Sequence, residues 1–239
     1  MWGALPFGVR FDRNQTSVEA YRKGMQAIRE GAGEDSFLLG CNAPMWPSLG
    51  VVHGMRVTND VARNFTSFVE ISKQCFKRNW QHNRLWINDP DTLLLCNRDK
   101  TVPGPDGKTV LITNGISQNE FIYNATYILA SGGMVLSGDD ITEFTTQDEK
   151  YLKKLLPPSG VAAMFESDDC NIGHLSIKGE EIFCFFNKEN ETRNFQITLN
   201  HAGRVKNFWT EEDFGMWKQG TRMISVEGHS AAAYVIRRE

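Results

Sequence analysis

Arg56 and Asp60 stand four residues apart in Gly54-Met55-Arg56-Val57-Thr58-Asn59-Asp60, and a second acidic group follows in Asn88-Asp89-Pro90-Asp91. A third lies in Gly138-Asp139-Asp140. Carboxylates gathered at one site can donate and accept protons or attack an electrophile. An arginine beside them offers a permanently charged, fork-shaped set of donors, suited to a carboxylate or a sugar hydroxyl. Each of these residues also has a local alternative. Asp60 could cap a helix beginning at Val61, Arg56 could form a structural ion pair, and Asp91 could close an Asx turn. The Asp139-Asp140 pair suits a hard cation in type, but no further ligands follow at regular spacing. Loop capping is the simpler role for it. The five cysteines are odd in number and none has CxxC spacing, so neither a disulfide framework nor a zinc site is indicated. The five histidines are scattered. No metal and no organic cofactor is expected.

These residues fall at the ends of strand-like runs. Thr16 and Glu19 form a capping box that opens a helix with Val18, Tyr21, Met25 and Ile28 on one face, ended by Gly31 and Gly33. Phe37-Leu38-Leu39-Gly40-Cys41 reads as a buried strand. A loop with Pro44 and Pro47 follows, then a strand over Gly54-Met55-Arg56-Val57. A helix runs through Phe65, Phe68, Val69 and Phe76, and a strand over Arg84-Leu85-Trp86-Ile87 is broken by Pro90. Residues 97–115 are rich in turn formers and predict a loop or small hairpin. A helix is predicted over 118–131. Gly132-Gly133 then leads into a strand at Met134-Val135-Leu136, and Thr146 with Glu149 caps a last helix ending at Pro157-Pro158. Alternation of strand and helix, with apolar strands, predicts parallel strands covered by helices. After Pro158 the pattern becomes short alternating runs such as EIFCFFNK, NFQITLN and AAAYVIRR, which predict an antiparallel β domain.

Composition narrows the field. A net charge of −3 gives no general attraction to nucleic acid or an anionic membrane, so neither is expected as a partner. No run of about 18 apolar residues offers a membrane span. The opening MWGALPFGVRFDRN has neither a basic leader nor a long apolar stretch, so no signal peptide is read there. Localisation is left unassigned.

The segments LLGCNAPMWPSLGVVHGMRVTNDV, LWINDPDTLLL and ASGGMVLSGDDIT, in that order, resemble the fifth to eighth strand ends of the α-galactosidase (melibiase-like) clan. WGALPFGVRFDRN is similar to the segment just after that family's Lys-Leu-Asp-Phe strand, whose Asp is the nucleophile of a retaining mechanism. The resemblance implies the second half of a (β/α)8 TIM barrel at 1–158, followed by an all-β antiparallel sandwich-like domain at 159–239. Four strands cannot close a barrel of eight, so the N-terminal half-barrel is expected to be missing or supplied by another chain. By resemblance, Asp60 is the general acid/base, its pKa raised by burial near a carboxylate. Arg56 holds the sugar, and Asp91 is an active-site aspartate. Asn42 and Met45 shape the sugar pocket, although some members carry an acidic residue at the position of Asn42. Cys41 and His53 are candidate pocket residues, each with packing as the alternative; many relatives carry an Asp in place of His53. Trp2, Trp46 and Trp86 could stack on sugar faces. Sequons occur at Asn14, Asn64, Asn124 and Asn190.

The expected activity is hydrolysis of terminal α-linked galactose from an oligosaccharide or glycoconjugate, with these 239 residues inactive alone because the nucleophile strand is absent. Two rivals stand beside it. One is an α-N-acetylgalactosaminidase or galactosyl transferase on the same scaffold, separable by substrate screening. The other is a non-catalytic sugar-binding module, which would bind galactose without turnover.

Overall fold

The computed structural model describes residues 11–96, 100–104, 106–112 and 115–238. It is a mixed α/β chain whose elements follow the predicted order closely. Helix α1, Ser17–Ala32, starts at the expected Thr16–Glu19 capping box. Strands β1 (Leu39–Gly40), β2 (Gly54–Arg56) and β3 (Ile87–Asp89) form a parallel sheet in chain order. The chain breaks at Pro90 and resumes as β4 (Thr92–Leu93). A hairpin follows, from β5 (Lys100–Pro103) to β6 (Thr109–Ile112). Farther on, β7 (Leu136–Ser137) pairs parallel with β4. Helix α2 (Phe65–Phe76) connects β2 to β3, and α3 (Gln118–Ser131) precedes β7.

Cross-strand register assigns the sheet's two faces. Gly40, Met55 and Asn88 are in register, and Met55 is fully buried in the main core. Leu39, Gly54 and Ile87 lie in the neighbouring row, so their side chains point to the opposite face. Arg56 and Asp89 share that face, at the C-terminal ends of their strands. Helix α3 is buried along almost its whole length, as an apolar helix packed on more than one side must be. It joins α2 on one side and the β domain on the other. Gly132 ends α3 in a left-handed conformation, with φ 63°. A Cβ on Gly133 would lie 2.1 Å from the Asn88 carbonyl oxygen, so the Gly132-Gly133 pair permits both the turn and the close approach to β3.

Helix α4 (Thr146–Leu155) leads to a six-stranded antiparallel sheet formed by β8 (Met164–Phe165), β9 (Ile172–Ile177), β10 (Glu180–Asn187), β12 (Gly203–Asn207), β13 (Asp213–Trp217) and β15 (Ser230–Arg237). Strands β11 (Arg193–Leu199) and β14 (Gly220–Val226) form a separate two-stranded sheet. Period-2 alternation gives the larger sheet two apolar faces. Ile182, Cys184, Phe186, Ala231 and Ala233 join the core containing α3, whereas Phe185 and Ile236 join the core shared with Phe195, Ile197 and Ile224 of β11 and β14. Polar ties cross the first boundary. The Asn79 amide donates to the carbonyls of Ala130 (3.2 Å) and Ala163 (2.9 Å), and Trp209 Nε1 donates to Thr126 Oγ1 (2.9 Å). One continuous core thus runs through both parts of the chain.

Several local expectations need correction. The last helix is capped by Thr145 with Asp148, one residue earlier than the predicted Thr146–Glu149 box. The third strand begins at Ile87, because residues 79–86 first make a short 3-10 turn and a loop. The Phe37–Cys41 run is a two-residue strand and is not buried throughout: Phe37 is 50% exposed, and Leu39 and Ile87 on the same side are exposed as well. Helix α1 buries no residue, and Val18 and Ile28 on its apolar face are exposed. Asn124 is fully buried and its amide oxygen accepts from Leu94 N, so that sequon is inaccessible in the folded chain.

An open apolar sheet face should recruit other apolar surface. The 239-residue chain is expected to self-associate on size-exclusion chromatography and to bind a dye that reports exposed apolar surface. Leu39→Thr combined with Ile87→Thr should lower both signals. A clean monomer with low dye binding would contradict an open face in solution.

Candidate active site

The site is built where β2 and β3 end. Pro90 cannot continue the ladder and keeps Asp89 out of the helical region. Asp89 Oδ1 accepts from Asp91 N at 2.8 Å, an Asx turn around the proline. Asp91 takes a left-handed backbone conformation, with φ 74°. Two further donors, the Tyr127 hydroxyl and Thr58 Oγ1, hold the Pro90 carbonyl. The result is a fixed corner that aims the Asp91 carboxylate back across β2. There Asp91 Oδ1 meets Arg56 Nη1 at 2.9 Å, and Oδ2 accepts from Val61 N at 2.6 Å.

Arg56 completes a bridge. Its other terminal nitrogen donates to Asp60, so one guanidinium links Asp91 on one side to Asp60 on the other. Burial works against the Arg56 charge, but Asp91, Cys41 and Asp60 outweigh it and hold the guanidinium pKa above its ordinary value. Arg56 Nε is buried and has no acceptor among the described residues. The two carboxylates differ sharply in setting. The Asp91 side chain is 9% exposed and that of Asp60 is 85% exposed. The expected burial of Asp60 is therefore not found, because the loop carrying it leaves the strand end toward the open face. Nor does Asp60 cap a helix: the cap of α2 is Asn64. Asp89 is only 2% exposed, and burial raises its pKa; the Asp91 amide and Arg56 pull it down, and the Asp91 charge adds to the rise.

The remaining candidates divide. Cys41 is exposed at the end of β1, close enough to act on the Arg56 charge. Asn42 beside it is exposed and has φ 50°. Met45 is half-buried and packs against the main core. His53 lies at the opposite end of β2. Its Nδ1 accepts from Leu38 N at 2.9 Å and its ring lies tilted against Phe37, with centroids 5.3 Å apart, so it is not brought to Arg56. Trp46 is exposed on a 3-10 turn, Trp86 is buried, and Trp2 lies outside the described residues. Asp139 and Asp140 serve loops: Asp139 accepts from Leu95 N and Cys96 N, and Asp140 from Thr142 N. Among the described residues no group of three or more His, Cys, Asp or Glu is placed to hold a metal ion. A groove lined by Phe37, His82, Ile87 and Met134 lies away from Arg56 and shares none of its residues.

No protein-family model matches the sequence. Solved structures do match its fold. The chain shares the fold of known α-galactosidases. An α-galactosidase I of Mortierella vinacea superposes with a TM-score of 0.70 at 13% identity, over 92% of this chain and 62% of that one. An α-galactosidase of Saccharomyces cerevisiae, solved with raffinose, gives 0.70 at 11% over 93% and 68%. A GH27 β-L-arabinopyranosidase of Geobacillus stearothermophilus gives 0.75 at 15% over 94% and 55%. The chain thus spans between about half and two thirds of the length of these enzymes. The mixed α/β architecture with an antiparallel sheet corresponds to their C-terminal part.

Two stability measurements check this geometry. Arg56→Lys offers a point charge that cannot bridge both carboxylates, leaving the mostly buried Asp91 poorly paired. Chemical denaturation should show a loss of about 1–3 kcal/mol, whereas Asp60→Asn, at an exposed pair, should change stability little. Equal small effects would mean the bridge does not form. Asp89→Asn keeps an acceptor for the Asp91 amide, and Asp89→Ala does not, so only the alanine should cost about 1 kcal/mol or more. Because Asp89 titrates higher in the folded state, wild-type stability relative to Asp89→Asn should fall as pH rises from about 4 through that raised value. A difference that is flat with pH would contradict the burial of a carboxylate there.

Proposed function

We propose that this chain is the acid/base-bearing half of a retaining α-galactoside hydrolase: the C-terminal half of a (β/α)8 barrel at 1–158, with a β module at 159–239. The observation that carries the reading is the Arg56 bridge, an exposed Asp60 tied to a buried Asp91 at the C-terminal ends of parallel strands. Chemistry in α/β barrels sits at that end. The fold shared with α-galactosidases and the order of the strand-end motifs support the same reading.

Asp60 is the acid and then the base. In the first step it protonates the glycosidic oxygen while a second carboxylate attacks the anomeric carbon. In the second step it deprotonates the water that releases galactose. A retaining pair stands about 5–5.5 Å apart across the scissile bond. The neighbouring aspartates are unsuited to be that second carboxylate: both Asp91 oxygens already accept from Arg56 and Val61, and Asp89 is buried in its turn. The resemblance of the opening segment to the stretch after the family's nucleophile strand assigns the nucleophile to a half-barrel outside these 239 residues. That half would also cover the bare sheet face. Arg56, with its unpaired Nε, and Asp91 hold the sugar, and Asn42, Cys41 and Met45 border the pocket. The ligand is a terminal α-galactoside of an oligosaccharide or glycoconjugate.

Asp60→Asn in the complete enzyme should cut turnover of an unactivated α-galactoside severely. It should spare the first step for substrates with very good leaving groups, which need little protonation. Near-wild-type turnover of the unactivated substrate would remove Asp60 from the role. The 239-residue chain alone should show no α-galactosidase activity, and measurable hydrolysis would place the nucleophile inside it.

A further inference from the structure

Arg63 and Asp139 form a tie that neither the strand-end motifs nor the acid/base assignment uses. Asp139 follows β7, and its side chain is 1% exposed. One oxygen accepts from Leu95 N at 2.5 Å and Cys96 N at 2.9 Å, which follow β4, and the other pairs with Arg63 Nη2. Arg63 also donates through Nη1 to the Cys96 carbonyl at 3.1 Å, and Nη2 reaches the Gly138 carbonyl at 3.5 Å. One guanidinium thus clamps the ends of β4 and β7, and it stands three residues after Asp60 in the same loop.

The rest of that loop is fastened on its other side. Asn59 N and its side-chain amide donate to Gln74 and Glu70 of α2, Val61 N donates to Asp91, and Ala62 N donates to Ser67 Oγ. Every one of these anchors leads to α2 or to the β3–β4 corner. Arg63 supplies the attachment to β7, so the Asp60 segment is stretched between two supports with its carboxylate left exposed. A loop held at both ends keeps a proton donor at a fixed distance and angle, and proton transfer depends steeply on that geometry.

Resting on the acid/base reading of Asp60, we propose that Arg63, held by Asp139, is a positioning residue that fixes the Asp60 loop for proton transfer to the leaving group. It touches no substrate. Its loss should therefore show the leaving-group signature of a weakened acid and not a uniform fall in activity.

The test uses Arg63→Gln, Arg63→Lys and Asp60→Asn in the complete enzyme, this chain together with the nucleophile-bearing half, each checked for an unchanged circular-dichroism spectrum. Paired α-galactosides with poor and very good leaving groups are compared. Arg63→Gln should lower kcat/KM, which reports the first step, about 10-fold or more for the poor leaving group and leave that of the good one within about two-fold. Arg63→Lys, which keeps the ion pair to Asp139, should recover part of the loss. An equal fall for both substrates would overturn the proposal in favour of a purely structural tie, as would no fall at all. If Asp60→Asn itself shows no leaving-group dependence, the acid/base reading fails and the positioning role fails with it. If only Asp60→Asn shows it, the reading survives and the proposal does not. In the 239-residue chain, Arg63→Gln should also speed amide exchange at Val61 and Ala62 while leaving mid-α2 amides unchanged. Unaltered exchange at Val61 and Ala62 would overturn the tie independently of any activity.

Discussion

The ion pair between Arg56 and Asp91 is the contact on which the site depends. Both side chains are largely removed from water, and two buried charges repay their desolvation only when geometry and further hydrogen bonds are good. Here the geometry is supplied by covalent constraint. Pro90 ends the strand, Asp89 closes the turn on Asp91 N, and Asp91 accepts the left-handed backbone that results. The pair lends the strand ends a charged corner, and Asp60 is attached to it from the solvent side. Loss of either partner would strand a charge in a poorly solvated place, so the pair is coupled to local stability.

Beneath the corner, packing sets the positions of β2 and β3. Met55 fixes the inner face of β2, and Phe68, Ile71 and Phe76 seat α2 against α3. Tyr127 of α3 spans from that core to the Pro90 carbonyl, and its fully buried hydroxyl has a pKa well above the ordinary tyrosine value because burial penalises the phenolate. The six-stranded sheet closes the far side of α3 through Cys184, Phe186, Ala231 and Ala233, small and large residues alternating with those that face β11 and β14. The corner formed by Arg56 and Asp91 is in this way supported from the β domain through α3. One core therefore joins both parts of the chain, beside the smaller core between the six-stranded sheet and strands β11 and β14.

Much of this was legible in the sequence, for physical reasons that can be named. Arg56 and Asp60 lie on one strand and its following loop, and Asp89-Pro90-Asp91 announces a sharp turn whatever surrounds it. A capping residue such as Thr16 acts within one helical turn, so it can be read locally. What stayed hidden depends on distance along the chain. Arg63 meets Asp139 across 76 residues, and nothing near either one signals the other. His53 reads as a pocket residue by its place in a motif, but it precedes β2, at the opposite end from Arg56, and its ring is engaged by Leu38 N. The exposure of Phe37, Leu39 and Ile87 was also invisible. An apolar strand predicts cover on both faces, and the described residues provide it on one.

External azide reveals whether Asp60 is the acid/base of a retaining mechanism. Asp60→Gly in the complete enzyme would leave a space beside a galactosyl-enzyme formed from a substrate with a good leaving group. Azide needs no general base, so it can displace the enzyme carboxylate from the side that Asp60 occupies. Azide should restore turnover, and proton magnetic resonance of the product should show α-galactosyl azide, with the substrate's configuration kept. A β-galactosyl azide would make Asp60 the nucleophile instead. Absence of any azide product, with wild-type rates of hydrolysis, would leave Asp60 with no part in the chemistry.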